Sequence, residues 1–302
     1  MTPDDNNTAL AAILHLEGTG QRCDRYQRVN RVLARFLNSR LLRCTISPRV
    51  DGTSLPDNLL KQAQSAPVVT PHPTYEGTPM PVLQNQNDIF VLDLGDGENR
   101  LHPDWIAAVN SALDEVEKNE GPGALVTVAN GKFYSNGLDL DWLSAHRDQH
   151  NDYIAAVQAL YARFLALPVM TVAAIQGHAF AAGAMLSLAH DFRVMRADRG
   201  FWCLPEMDIN LPFPRGMAAL VQSRLSPQIA HEAMLTARRY GGTDAQAAGI
   251  VDHAVEEASI SETALTIAHA NLTKAGETLG ITKSRMYAPV LATLRDSSNP
   301  RG

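Results

Sequence analysis

The sequence has no apolar run near the ~18 residues a membrane-spanning helix needs, so its residues do not read as an integral helical membrane protein. Cysteine is scarce. Cys23, Cys44 and Cys203 are too few and too scattered for a disulfide framework or a CxxC zinc site, which fits a reducing compartment. Excess positive charge is missing as well, and a net charge of −6 argues against a general nucleic-acid role. Neither a phosphate-binding GxxxxGK nor a nucleophile-elbow GxSxG occurs, and Gly18-Thr19-Gly20 lacks the rest of a dinucleotide fingerprint, so covalent serine catalysis has no support. His146 and His150 have the i, i+4 spacing of a shared helix face, but no third ligand matches them, and no metal is expected. The opening MTPDDNNT is acidic and polar, and the apolar run Ala9 to Leu16 follows no basic region, so no secretory signal is expected. A cytoplasmic location follows, or an organellar matrix in a eukaryote.

What is present divides the chain in three. Residues 1–80 hold eight arginines against one acid, Asp24, between Arg22 and Arg49. Tyr26, Val29, Leu33, Phe36 and Leu37 fall on one face of a basic amphipathic helix, and Pro67, Pro71, Pro73, Pro79 and Pro81 mark a linker. Residues 81–216 alternate strand-like and helical patterns. Ile89 to Leu94, Ala124 to Ala129, Thr171 to Gln176 and Phe192 to Arg196 read as strands. Pro103 to Lys118 reads as a helix with Trp105, Ile106, Val109, Leu113 and Val116 on one face, and Asp152 to Ala166 as another. This alternation predicts an α/β fold with right-handed crossovers and a largely parallel sheet. Residues 217–302 read as helical, with Thr243 and Gln246 in capping-box spacing.

The stretch Pro168 to Pro214 is the most informative. After its strand, Gly177 to Gly183 is built of small residues and one Phe180, and a helix is expected over Ala184 to His190. Unpaired N–H groups at the start of a helix receive negative charge developing on an oxygen, and Ala182 is the candidate donor. Gly131 to Leu140, GKFYSNGLDL, repeats the pattern: the turn glycine Gly137 stands before a helix expected over Leu138 to Trp142. Two strand-to-helix turns aim two amides at one carbonyl. His178, beside the proposed hole, reads as a hydrogen-bonded structural histidine, and Asp139 and Asp141 as capping or helix-dipole partners.

This pair of segments resembles the crotonase superfamily of acyl-CoA hydratases and isomerases over roughly residues 81–296. The resemblance implies a crotonase ββα-spiral core with a helical C-terminal trimerisation region. It implies an oxyanion hole made by the amides of Leu138 and Ala182, and adenine contacts from the backbone of Asn136 and Leu140. Lys132 is implied near the CoA ribose-phosphate. The substrate is an acyl-CoA, coenzyme A being part of it rather than a cofactor, and the assembly a homotrimer or a dimer of trimers.

Hydratases of that superfamily use two glutamates. Met185 stands at the first position and Glu206 at the second, while a diene isomerase's aspartate, eight residues beyond, is here Pro214. One carboxylate suffices to take a proton from one carbon of an allylic system and return it to another. The wording SNG-x-DL and GHAFAAG-x-ML-x-L-x-HD is similar to plant-type Δ3-Δ2-enoyl-CoA isomerases. The expected reaction moves a 3-enoyl-CoA double bond to the 2-trans position, with Phe180, Met185 and Trp202 in the acyl pocket. Phe201 and Leu204 complete the apolar surroundings expected to desolvate Glu206. The alternatives are another crotonase activity (hydratase, thioester hydrolase or decarboxylase) or a non-catalytic acyl-CoA-binding protein.

Overall fold

The structure is a computed structural model that describes residues 80–298 and Pro300. The expected basic helix and proline-rich linker, with Cys23 and Cys44, lie outside the described residues.

The described chain opens with a hairpin, β1 (Val82–Gln86) antiparallel to β2 (Ile89–Asp93). Its two-residue turn, Asn87-Asp88, takes positive φ at both positions, which short polar side chains tolerate. Helix α1 (Pro103–Glu117) follows, with His102 as N-cap and proline in the first turn. It buries the five apolar residues expected of it together with Ala112. The chain then runs through three successive units, each a strand of a large sheet followed by a short strand of a small one. The first is β3 (Ala124–Val128) with β4 (Phe133–Ser135), which leads into helices α2 (Leu140–Ala145) and α3 (His150–Ala166). The second is β5 (Met170–Ile175) with β6 (His178–Phe180), followed by α4 (Ala182–Leu188). The third is β7 (Phe192–Arg196) with β8 (Trp202–Cys203), followed by a 3-10 turn at Pro205–Met207. This winding is the ββα spiral.

The remaining helices are α5 (Arg215–Arg224), α6 (Pro227–Thr236), α7 (Gly242–Ala247), α8 (Ile260–Asn271), α9 (Glu277–Met286) and α10 (Ala288–Leu294). Residues 217–302 are not helical throughout. β9 (His253–Val255) pairs parallel with β7 and completes a six-stranded sheet in the order β1-β2-β3-β5-β7-β9. The capping box is also corrected: Gly241 caps α7 without a side-chain bond, so Thr243 lies inside the first turn.

Both faces of the large sheet are covered, as parallel strands require. One face packs Leu92, Leu125, Ala173 and Met195 into the main core. The other sets Val126, Val172 and Val194 against Ile260, Ala264 and Ala268 of α8. A buried ion pair, Lys283 to Asp191, with a 2.7 Å bond from Lys283 Nζ to the Val169 carbonyl, ties α9 to this frame.

Candidate active site

The second, three-stranded sheet has the order β4-β6-β8, and its strands are parallel, so their C-terminal ends lie side by side. Ligands of open parallel sheets collect at such ends. Each exit here contributes one group: Leu138 after β4, Ala182 after β6 and Glu206 after β8.

The first exit is held from upstream. Ser135 Oγ donates to the Asn99 carbonyl at 2.7 Å and accepts from the Gly137 N–H at 3.2 Å, while the Leu101 N–H donates to the Gly137 carbonyl at 2.9 Å. Gly137 has φ +92°. Asp139 then caps α2 through the Trp142 N–H at 3.0 Å, so the helix opens at Leu140, two residues later than expected.

The second exit turns at Ala181, whose φ +48° and ψ −125° belong to a conformation normally left to glycine. Its N–H donates to the Cys203 carbonyl at 3.0 Å, and its carbonyl receives the Met185 N–H at 3.1 Å. The two turns touch. A methyl group on Gly137 would lie 3.0 Å from the Ala181 Cβ and 3.1 Å from the Ala182 nitrogen, and one on Gly183 would lie 2.4 Å from the Ser135 carbonyl oxygen. Among the described residues neither the Leu138 nor the Ala182 N–H has an acceptor.

The third exit carries Glu206, 5% exposed, with Oε2 buried and without a hydrogen-bond partner. It is the only acidic side chain buried among the described residues. Burial pushes its carboxyl up to about 7, opposed in part by a hydrogen bond from its own backbone. A carboxyl at that point is both a competent base and a competent acid near neutrality.

These groups share one cavity of about 550 Å³. Its inner wall includes Leu143, Ile154, Phe180, Leu211 and Met217, and exposed Leu140, Asp141, Ile209 and Pro212 mark its mouth. Arg100, at the same mouth, is paired with Glu98 and Asp141, each at 2.6 Å, and with Asp139 at 3.7 Å.

Of the residues singled out from sequence, Glu206, Leu138, Ala182, Asn136, Leu140 and Phe180 line the cavity. Pro214 lines it too and supplies no acid there. Three others do not. Met185 is 1% exposed and packs into the main core, so it is not a cavity wall. Trp202 is fully buried, its indole N–H bonded to Ser187 Oγ at 3.1 Å inside that core. Lys132 is exposed, its Nζ 5.0 Å from the Phe133 ring centroid. Desolvation of Glu206 is also not the work of Phe201, which is 40% exposed.

His178 accepts from the Phe201 N–H at 3.2 Å, and burial lowers its pKa, as a structural histidine requires. His146 ends α2 and stacks on Trp142 at 4.3 Å, whereas His150 begins α3 and lines the cavity, so the two do not share a helix face. The described residues contain no cluster of three or more metal-ligating side chains. Arg100, His150, Ile154 and Met217 were missed as site residues. The apolar period of α3 placed Ile154 on a buried face without showing that this face meets a cavity.

Two adjoining amides, a buried carboxylate and an apolar recess on a ββα spiral define the crotonase fold with the means to activate a carbonyl and move a proton. Residues 84–299 match the family described as enoyl-CoA hydratase/isomerase, and the chain belongs to it. Enoyl-CoA delta isomerase 2, peroxisomal, of Arabidopsis thaliana is 37% identical over 230 residues, 73% of this chain and 92% of that protein. Enoyl-CoA delta isomerase 3 of the same plant is 37% identical over 229 residues, with the same coverage of both. Among solved structures, the apo enoyl-CoA isomerase of Mycobacterium tuberculosis superposes with a TM-score of 0.67 at 28% identity, covering 72% of this chain and 95% of that one. Among the described residues no helix is long and apolar enough to cross a membrane.

Proposed function

We propose that the protein is a Δ3-Δ2-enoyl-CoA isomerase that works with a single base. The observation that carries this reading is Glu206, a buried carboxylate with one unpartnered oxygen, in a cavity whose other acid, Asp141, is exposed and paired with Arg100. The thioester carbonyl of a 3-enoyl-CoA accepts hydrogen bonds from the Leu138 and Ala182 amides. Charge then develops on that oxygen as Glu206 takes the proton from C2 and the freed C–H pair forms a C1–C2 double bond, giving a dienolate; when the carbonyl re-forms, that pair moves to C2–C3 and the C3–C4 π pair takes up a proton at C4. Glu206, now protonated, returns the proton to C4. Its raised pKa serves both halves, because a stronger acid would be a poor base and a weaker one would keep the proton. Removing one oxyanion donor in comparable sites costs about 3 kcal/mol, so the amides matter as much as the base.

Asn136 and Leu140 at the mouth are the proposed adenine contacts, with Lys132 toward the ribose-phosphate, and no further cofactor takes part. A homotrimer or dimer of trimers, in the cytoplasm or an organellar matrix, belongs to the same reading, and sedimentation velocity tests the assembly. The experiment for activity is purified protein with cis- and trans-3-enoyl-CoA of several lengths, followed by conjugation absorbance, alongside water addition to crotonyl-CoA. Isomerisation with almost no hydration is expected. Rapid hydration by the wild type would overturn the single-base reading, and binding without turnover would leave an acyl-CoA carrier.

A further inference from the structure

Helix α3 crosses behind both turns of the cavity, and two of its tyrosines end on them. Tyr153 is buried. Its hydroxyl donates to the Leu101 carbonyl at 2.7 Å and accepts the Asp139 N–H at 2.9 Å. Tyr161 is fully buried, and its hydroxyl donates to the Ala182 carbonyl at 2.7 Å. Each hydroxyl therefore holds the peptide unit that immediately follows a donor residue: 138–139 in one turn, 182–183 in the other. The units that carry the donor N–H groups are held as well. Leu101, whose carbonyl Tyr153 binds, sends its own N–H to the Gly137 carbonyl, and in a planar trans peptide this fixes the direction of the Leu138 N–H. The Ala181 carbonyl is fixed by the Met185 N–H, which does the same for Ala182.

The two tyrosines stand eight residues apart, about 12 Å along one rigid helix. Between them Val157 and Leu160 are buried in the core, so the helix does not slide. A fully buried phenol hydroxyl needs one partner, and carbonyls are available throughout such a core. Here both hydroxyls have found theirs in the two turns that meet at one cavity.

We propose that Tyr153 and Tyr161 are positioning residues that set the mutual aim of the two oxyanion amides from a single helix, an inference that rests on Leu138 and Ala182 being those amides. Errors of about 1 Å in such an arrangement cost on the order of 100-fold in rate.

The test compares Tyr153→Phe and Tyr161→Phe with wild type, and with Tyr240→Phe, which loses a part-buried hydroxyl bond to Glu232 (2.6 Å) that touches neither turn. Turnover of a 3-enoyl-CoA is measured together with binding of hexanoyl-CoA and the enolate absorbance of bound acetoacetyl-CoA. For the two α3 variants kcat is expected to fall about 10- to 100-fold with KM within about twofold. Their bound acetoacetyl-CoA should be less enolised at the same pH, while hexanoyl-CoA binding and the Tyr240→Phe variant stay at wild-type values. Unchanged kcat and enolisation, loss of hexanoyl-CoA binding in proportion to kcat, or failure of both variants to fold would each overturn the proposal. If wild type itself neither isomerises nor enolises its ligand, the oxyanion hole is wrong and the brace falls with it.

Discussion

Replacing Glu206 by glutamine should cost the protein its activity and gain it stability, with the gain appearing only as pH rises. In the fold the carboxyl titrates at about 7 instead of 4.5, because burial penalises its charged form. A shift of that size corresponds to ~3 kcal/mol. The sign follows from linkage: with the folded pKa above the unfolded one, the wild type loses stability from the unfolded pKa upward, and the loss is complete above the folded pKa. Glutamine keeps the shape and does not titrate. Any cost of its own unpaired amide is the same at every pH, so the pH dependence isolates the carboxylate. About 2 kcal/mol of the difference should develop between pH 5.5 and 8.5, where ordinary carboxylates have finished titrating. Urea unfolding of both proteins at matched concentration across that range measures it. The wild-type kcat/KM should rise through pH 7 over the same window, and the variant should fall by orders of magnitude at every pH. A stability difference that stays flat would refute the burial argument, and near-wild-type turnover by the variant would remove Glu206 from the mechanism.

Gly137→Ala puts a methyl group against the Ala181 and Ala182 turn at a φ of +92°, so kcat should fall about 100-fold in a protein that still folds, as circular dichroism would show. An active variant would mean that the two turns are not in register contact. Met185→Glu should destabilise the fold by about 3 kcal/mol or more, since the carboxylate enters a packed core without a partner, and crotonyl-CoA hydration should not appear. Acquired hydration would bring that position back into the cavity. Ile154→Phe narrows the recess and should shift preference toward shorter acyl chains, read from kcat/KM over a chain-length series; an unchanged profile would place the acyl group elsewhere. A chain shortened to begin at Met80 should fold and isomerise, tested by its melting curve and rate, and an insoluble product would give residues 1–79 a part in the core or the assembly.

The long elements were legible because each has a side-chain period to read. The apolar face of α1 and the runs of β3 and β5 came out within a residue or two of their ends. The short strands were not: β4, β6, β8 and β9 have two or three residues each and are defined by their neighbours rather than by any pattern of their own. Glu206 was legible as a type and a position, whereas Leu138 and Ala182, proposed to act through their backbone, leave almost no trace in side chains: the small-residue turn pointed to Ala182, and likeness to a family to the pair. Met185 and Trp202 failed for a related reason. Lying close in sequence to a cavity group does not decide which way a side chain faces, and both face the core. Ile154 and Met217 arrive from helices remote in the chain, as cavity walls often do.

The three strand exits divide the labour unequally, and this bears on how such a protein changes over generations. In the proposed mechanism two exits supply backbone, which survives most substitutions as long as the turn keeps its shape; the third supplies one replaceable side chain. Drift at position 206 would therefore silence turnover while sparing the cradle for the thioester. A gene copy released from selection would pass first through a stage that still grips and polarises acyl thioesters, from which a new acid placed at another point of the wall can found a different reaction.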